Sequence, residues 1–199
     1  MNWEQGQHIA IVGSNGTGKT FLEARLLPLR RHVIVLRTKA DDVKFAGFRK
    51  IKTIDGIRPG ATRYELRPVY ERQSVECQRA IELAWRQRGW CVAVDELFYL
   101  CDQLKLERSI NKLLTQGRSL SISVVCGMQR PSRITRFALT EAIHGFFFRA
   151  EGRDVKLIAE ATTPRIVPAI EALKRFEFAY FNRLNGEITI ARAQDLGRL

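Results

Sequence analysis

Short apolar runs alternate along the chain with longer amphipathic stretches. Ile9–Val12 is a strand-like run ending in a glycine-rich turn, and Thr17–Leu27 then predicts a helix stopped by Pro28. Val33–Leu36 predicts a second buried strand, and Arg63–Arg67 a short one before Pro68. Over Glu71–Arg88, the residues Cys77, Ile81, Ala84 and Trp85 recur at helical spacing, with Gly89 as terminator. Leu106, Ile110, Leu113 and Leu114 repeat that spacing ahead of Gly117. Cys91–Val94, Ile122–Met128 and His144–Arg149 read as further strands, while Lys39–Pro59 is basic and irregular. The end of the chain, Arg175–Asn182 and Glu187–Ala191, reads as a hairpin turning at Asn185-Gly186. Strands separated by helices imply an α/β domain, its mostly parallel sheet covered by helices on both faces and closed by a C-terminal β-hairpin.

Composition narrows the setting. The chain has 199 residues, of which 45% are apolar, which favours one packed domain over residues 1–199. No apolar run approaches the roughly 18 residues of a membrane span, and the polar start, Met1–Gln7, does not read as a signal peptide. Cys77, Cys91, Cys101 and Cys126 show no zinc-ligand spacing, and Cys91 and Cys126 fall inside apolar strands as small core residues. That usage suits a reducing cytoplasm. With 33 Lys and Arg against 21 Asp and Glu, the formal net charge is +12. Such an excess points to a polyanionic partner, nucleic acid or an anionic membrane surface, with an inert basic surface as the alternative.

Residues 13–20 read G-S-N-G-T-G-K-T, a full phosphate-loop match in the strand–turn–helix context the motif requires. Gly13, Ser14, Asn15, Gly16, Thr17 and Gly18 would turn backbone amides toward phosphates, where a helix N-terminus favours negative charge. Lys19 would reach the β- and γ-phosphates, and Thr20 would ligate Mg²⁺. Asp95 ends a buried strand, where phosphate-loop enzymes place an Mg²⁺-holding carboxylate. Glu96 beside it suits a general base for water, or else is an ordinary surface acid. Gln129 ends the next strand and can bridge water and γ-phosphate, or simply cap the strand. Arg118, after Gly117, is a candidate arginine finger acting from a neighbouring subunit, or else a cation at a helix end.

These residues carry a family likeness. The run from Trp90 to Pro131, with V-D-E, T-Q-G-R-S-L-S-I-S-V-V and M-Q-R-P-S, resembles the FtsK–HerA group of DNA-pumping ATPases, most of all single-domain viral genome-packaging ATPases. The resemblance spans roughly residues 7–160. It implies a RecA-like (ASCE) P-loop NTPase core and ATP and Mg²⁺ as cofactors. It also implies a homo-oligomeric ring of five or six subunits that moves double-stranded DNA, docked on a capsid portal or vertex in the host cytoplasm or on the virion. By the same likeness Lys19, Thr20, Asp95, Glu96 and Gln129 take the roles above, and Arg118 is a finger in trans. Set against the cellular members and the two-domain large terminases, the chain is expected to lack a membrane anchor, a DNA-reading C-terminal domain and a nuclease domain.

Arg49, Lys50 and Lys52, within a basic stretch that also holds Lys39, Lys44 and Arg58, are candidate DNA contacts, as are Lys105, Arg108, Arg130, Arg133 and Arg136. Each taken singly also reads as a solvated surface charge. Phe146, Phe147 and Phe148 read as strand and core, because three in a row cannot share one sheet face. His8, His32 and His144 carry no ligand spacing. Two other functions remain open: a nucleotide-switched assembly or secretion ATPase for virions, and a P-loop kinase.

Overall fold

The structure, a computed structural model, describes residues 1–38, 45–58, 60, 62–133 and 136–198, apart from the side chains of Arg133 and Arg198. Lys39, Lys44 and Pro59 lie outside the described residues, as does the side chain of Arg133. Nine strands form one sheet: β1 His8–Val12, β2 Val33–Leu36, β3 Arg49–Ile51, β4 Arg63–Leu66, β5 Cys91–Val94, β6 Ser123–Met128, β7 Ala142–Phe148, β8 Glu177–Asn182 and β9 Glu187–Arg192. Their order is β3-β4-β2-β5-β6-β1-β7-β8-β9. The first seven positions pair in parallel, and β8 and β9 add the antiparallel hairpin. Parallel strands present all their C-terminal ends along one edge, where open α/β sheets build their sites.

Helices cover both faces. On one, Leu22 and Leu26 of α1 (Lys19–Leu26) pack with Ile9, Ile11, Val33 and Val125. On the other, α2 (Gln73–Gln87) and α3 (Glu107–Gln116) bury Cys77, Ile81, Ala84, Ile110 and Leu113 against Val92 and Val124. That face also takes α4 (Phe137–Thr140), α5 (Arg153–Ala161) and α6 (Ile166–Glu171). A sheet covered twice has a core on each side of every strand. Phe146 and Phe148 therefore belong to one core and Phe147 to the other, all three at most 2% exposed. Burial pushes the Cys77 and Cys91 thiols up to about 12, and Cys126 higher still, so these are inert packing groups.

Several boundaries differ from the periodicity. Thr17 stays outside α1, because its hydroxyl donates to the Ser14 carbonyl at 2.8 Å inside the turn. The helix expected from Glu71 begins as a short 3₁₀ turn over Tyr70–Arg72. The basic stretch hides β3, an edge strand of three residues with Arg49 and Lys50 facing solvent, too short to alternate visibly. α5 and α6 bury little more than Val155, Ile158, Ile166 and Ile170, a face too narrow to read as periodic.

Two histidines without assigned roles turn out to be core fasteners. His8 Nδ1 accepts from the Val124 amide and Nε2 faces the Leu114 carbonyl, each at 3.0 Å. His144 lies 2.8 Å from the Tyr180 hydroxyl through Nδ1 and 2.9 Å from Gln7 Oε1 through Nε2. At His8, Nδ1 must stay unprotonated to accept the Val124 amide, which suits a neutral ring. Burial brings both from 6.5 down to about 4. A lowered folded-state value means that the unfolded chain binds more protons between about pH 6.5 and 4. Stability is thus full above that window and lost as pH falls through it, by up to about 1.4 kcal/mol per pH unit for each histidine. The urea midpoint should drop between pH 7 and pH 5, and a His8→Gln/His144→Gln protein should lose much of that drop. An equal drop in both proteins would assign the acid sensitivity elsewhere.

Candidate active site

The phosphate loop leaves β1 tied to β6, with the Gly13 amide donating to the Met128 carbonyl at 3.0 Å. A Cβ on Gly13 would stand 2.7 Å from both Phe148 Cβ and Thr17 Oγ1, so glycine is required by close approach. Gly18 sits at φ 103° and hands the chain to α1 with no side-chain cap. The first-turn amides are left for an anion. Lys19, 8% exposed, folds back over the loop, its Nζ donating to the Gly13 carbonyl at 2.6 Å and the Ser14 carbonyl at 2.9 Å. Ser14, Asn15 and Gly16 face solvent, and Thr20 lies half-buried in the first turn of α1.

Asp95 and Glu96 follow β5, at 4% and 8% exposure. Strand order places β6 between β5 and β1, so Gln129, directly after β6, stands between the acidic pair and the loop. Its Nε2 donates to Glu96 Oε2 at 2.7 Å. The structure therefore brings together Gly13–Thr20, Asp95, Glu96 and Gln129 at one sheet edge.

Two buried charges there were passed over in the sequence. Glu23 of α1 is 2% exposed, and its Oε1 lies 2.7 Å from where a Cβ on Gly127 would stand; the Asp95 carbonyl oxygen lies 2.6 Å from the same point. Gly127 is what lets the helix and β5 approach that closely. Arg37 follows β2, whose register pairs Leu36 with Val94, so the next residues across the pair are Arg37 and Asp95. Arg37 Nη1 lies 3.4 Å from Asp95 Oδ1, and the guanidinium sits 5.4 Å from the centroid of the Phe45 ring. The available signal was a cation directly after an apolar strand, legible only once β2 is known to neighbour β5.

Arg118 is not brought to the loop. It lies in the turn ahead of β6, exposed, its carbonyl accepting from the Ser121 amide and passing 3.1 Å from a Cβ built on Gly6. That is the N-terminal edge of the sheet, roughly 16 Å from the phosphate loop by the length of a five-residue strand. The candidate DNA contacts are also spread out. Arg49, Lys50 and Lys52 are exposed on or beside the outer edge strand β3, whereas Lys105 and Arg108 are exposed around the start of α3. β3 and β5 stand three strand positions apart, about 14 Å at the usual spacing. Arg130 is closer to the chemistry. It lines a cavity of about 1000 Å³ over Ser14–Thr17, where Arg130, Arg149, Arg153, Lys174 and Arg175 outnumber Glu151, Asp154 and Glu177. A cationic cavity above a phosphate loop suits a polyphosphate.

No protein-family model matches the chain. It is 28% identical over 201 residues to the DNA packaging ATPase P9 of Enterobacteria phage PRD1, a match covering 88% of this chain and 82% of that protein. Its fold is similar to that of the genome packaging NTPase B204 from Sulfolobus turreted icosahedral virus 2 in complex with AMP, with TM-score 0.76 and 14% identity over 96% of this chain and 98% of that one. B204 has also been solved with ATP-γS. A further likeness is to ATPases 2 and 3 of EssC from Geobacillus thermodenitrificans, with TM-score 0.63 and 16% identity, covering 97% of this chain and 41% of that one. The resemblance read from the motifs, and the RecA-like fold it implied, are borne out.

The Arg37–Asp95 pair generates a test. Removing one partner of a buried pair weakens the compensation of the other, at a cost of up to roughly 3–5 kcal/mol. Arg37→Ala should lower Tm by several degrees and reduce hydrolysis, with Arg37→Lys recovering part of both. An Arg37→Ala protein with unchanged Tm and unchanged Mg²⁺ dependence would remove Arg37 from the site.

Proposed function

We propose that this chain, which fits the FtsK–HerA group beside viral packaging ATPases, is an ATPase that drives double-stranded DNA into a viral capsid as a ring of identical subunits. The observation that carries the reading is the 2.7 Å bond from Gln129 to Glu96 at adjacent strand ends beside the phosphate loop. A carboxylate held by an amide, next to bound phosphates, is equipped to take a proton from water and to orient that water. A kinase needs instead a subsite for an acceptor. The similarity to P9 of PRD1 supports the packaging role.

In this reading the loop amides and Lys19 hold the β- and γ-phosphates. The donor set fits Mg²⁺: Thr20 offers a hydroxyl and Asp95 a carboxylate, hard oxygens of the kind the ion takes. Mg²⁺ supplies charge neutralisation at the phosphates. Glu96 accepts the proton of the attacking water, and Gln129 exchanges its bond to Glu96 for one to that water or to the γ-phosphate.

Arg118 supports the ring. It lies across the sheet from its own pocket, so it serves as a finger only for a neighbour's nucleotide. Five or six subunits, docked at a portal or vertex, complete the proposal, with the motor in the host cytoplasm or on the virion. Among the described residues no helix is long and apolar enough to cross a membrane. Phosphate contacts from exposed Lys and Arg read no sequence, as a motor for a whole genome requires.

Two experiments test this reading. Duplex DNA of any sequence should stimulate hydrolysis, with a steep loss of binding as salt rises; a turnover indifferent to DNA at low salt would argue against a motor. Arg118→Ala and Lys19→Ala proteins should each be nearly inactive, since a finger contributes on the order of 10³–10⁵ in rate. Mixed, they should recover part of the activity, because one subunit supplies the pocket and the other the finger. A co-assembled mixture that stays inactive would count against the trans role, and Arg118→Ala at full rate would end it.

A further inference from the structure

Beside the phosphate loop lies a second cavity, of about 480 Å³, lined by Gly18, Phe21, Phe148, Arg175, Phe176 and Gln194, among others. It shares Phe148, Arg175 and Phe176 with the larger cavity over Ser14–Thr17, so the two adjoin across those side chains. Its size is that of a small-molecule subsite, and its walls are mostly apolar, with the rings of Phe21, Phe148 and Phe176 among them.

The side chains that line it are poorly explained by the fold alone. Phe176 is 49% exposed and Phe21 55% exposed, whereas the neighbouring Phe178 is fully buried. Phe176 also adopts φ 65°, a left-handed conformation that is a genuine outlier for a bulky residue. It occupies a tight turn in which the Glu177 amide donates to the Lys174 carbonyl at 3.1 Å and the Lys174 amide to Glu177 Oε2 at 2.9 Å. Glycine would satisfy that turn without strain. The structure instead places an aromatic ring there, half in solvent, with the Arg175 guanidinium 4.7 Å from its centroid. The ring overhangs the loop: a Cβ built on Gly18 would lie 3.6 Å from Phe176 Cδ1 and 3.7 Å from Phe148 Cε1.

We propose that this cavity is the base subsite of the nucleotide, with Phe176 as the stacking platform for a purine. The proposal rests on the phosphate-loop reading and adds to it the residues that hold the other end of the ligand. A triphosphate seated on Ser14–Thr20 directs its nucleoside along the loop, past Gly18, to the Phe176 ring. Base–aromatic stacking accepts any base with a large π-face. The polar groups of the cavity are Arg175, Arg192 and the Gln194 amide; Arg192 is engaged with Glu177 at 3.1 Å. Among the described residues no carboxylate lines it to receive the N–H groups of guanine. Selection is therefore by ring area, purine over pyrimidine, and only weakly between adenine and guanine. Because Ala193 and Gln194 follow β9 directly, a bound base also rests against the C-terminal segment of the chain.

Phe176→Gly provides the test, since glycine suits the turn and the variant should fold with a Tm equal to or above that of the parent. Binding is measured by calorimetry for ATP and for inorganic tripolyphosphate, which has no base. Phe176→Gly should bind ATP on the order of 10–100-fold more weakly and tripolyphosphate as before, and Phe176→Trp should restore ATP binding. ATP affinity equal to the parent's, or equal losses for both ligands, would overturn the subsite. Failure of the underlying reading looks different: Lys19→Ala would then leave tripolyphosphate binding of the parent strength.

Discussion

The constraint on which the rest of this structure depends is the burial of five ionisable side chains at one sheet edge. Lys19, Glu23, Arg37, Asp95 and Glu96 are each nearly inaccessible, and such charges are tolerated only with close partners in good geometry. No single element provides that geometry. Lys19 and Glu23 come from α1, Arg37 from the end of β2, and the acidic pair from the end of β5. The parallel register fixes them relative to one another. A slip of one residue between β2 and β5 would separate Arg37 from Asp95 and remove the contact between their buried charges. Placement of the candidate site residues and strand register are thus one requirement here.

That requirement also explains what could be read in the sequence. The phosphate loop, Asp95-Glu96 and Gln129 announce themselves, because each follows a buried strand and local chemistry dictates the residue types. The parallel sheet with its final hairpin was legible from alternation and turns. Arg37 was not, since its role depends on β2 lying beside β5, a long-range pairing with no local trace. Glu23 looked like an ordinary helix residue until the glycine at position 127 was seen to admit it. Phe176 escaped for the opposite reason. It sits at a strand boundary, where an aromatic residue reads as the start of the strand; its backbone angle and its exposure alone mark it out.

The chain order around the site carries a further consequence. From Glu96 a π-helical turn over Tyr99–Gln103 leads into α3, which runs to the far edge of the sheet and ends at Gly117-Arg118. β6 then returns across the sheet and delivers Gln129 to Glu96. The proposed water-handling pair and the candidate finger therefore belong to one helix–strand unit, which the Gln129–Glu96 hydrogen bond closes at the pocket. Along it, α3 spans about 15 Å and β6 about 20 Å. Both pack through fully buried side chains, Ile110 and Leu113 from the helix and Val124 and Cys126 from the strand.

A packed unit of this kind moves as a body more readily than it bends. In the ring reading, a change at the Gln129–Glu96 contact on loss of the γ-phosphate shifts the same unit that presents Arg118 to the next subunit. The coupling needs no separate relay, because the two ends share one rigid piece of chain. His8 fixes where that piece meets the central strand, bonding the Val124 amide of β6 and the Leu114 carbonyl of α3 from the start of β1. The Gln129–Glu96 pair and the candidate finger are thus two ends of one unit, and His8 ties that unit to β1.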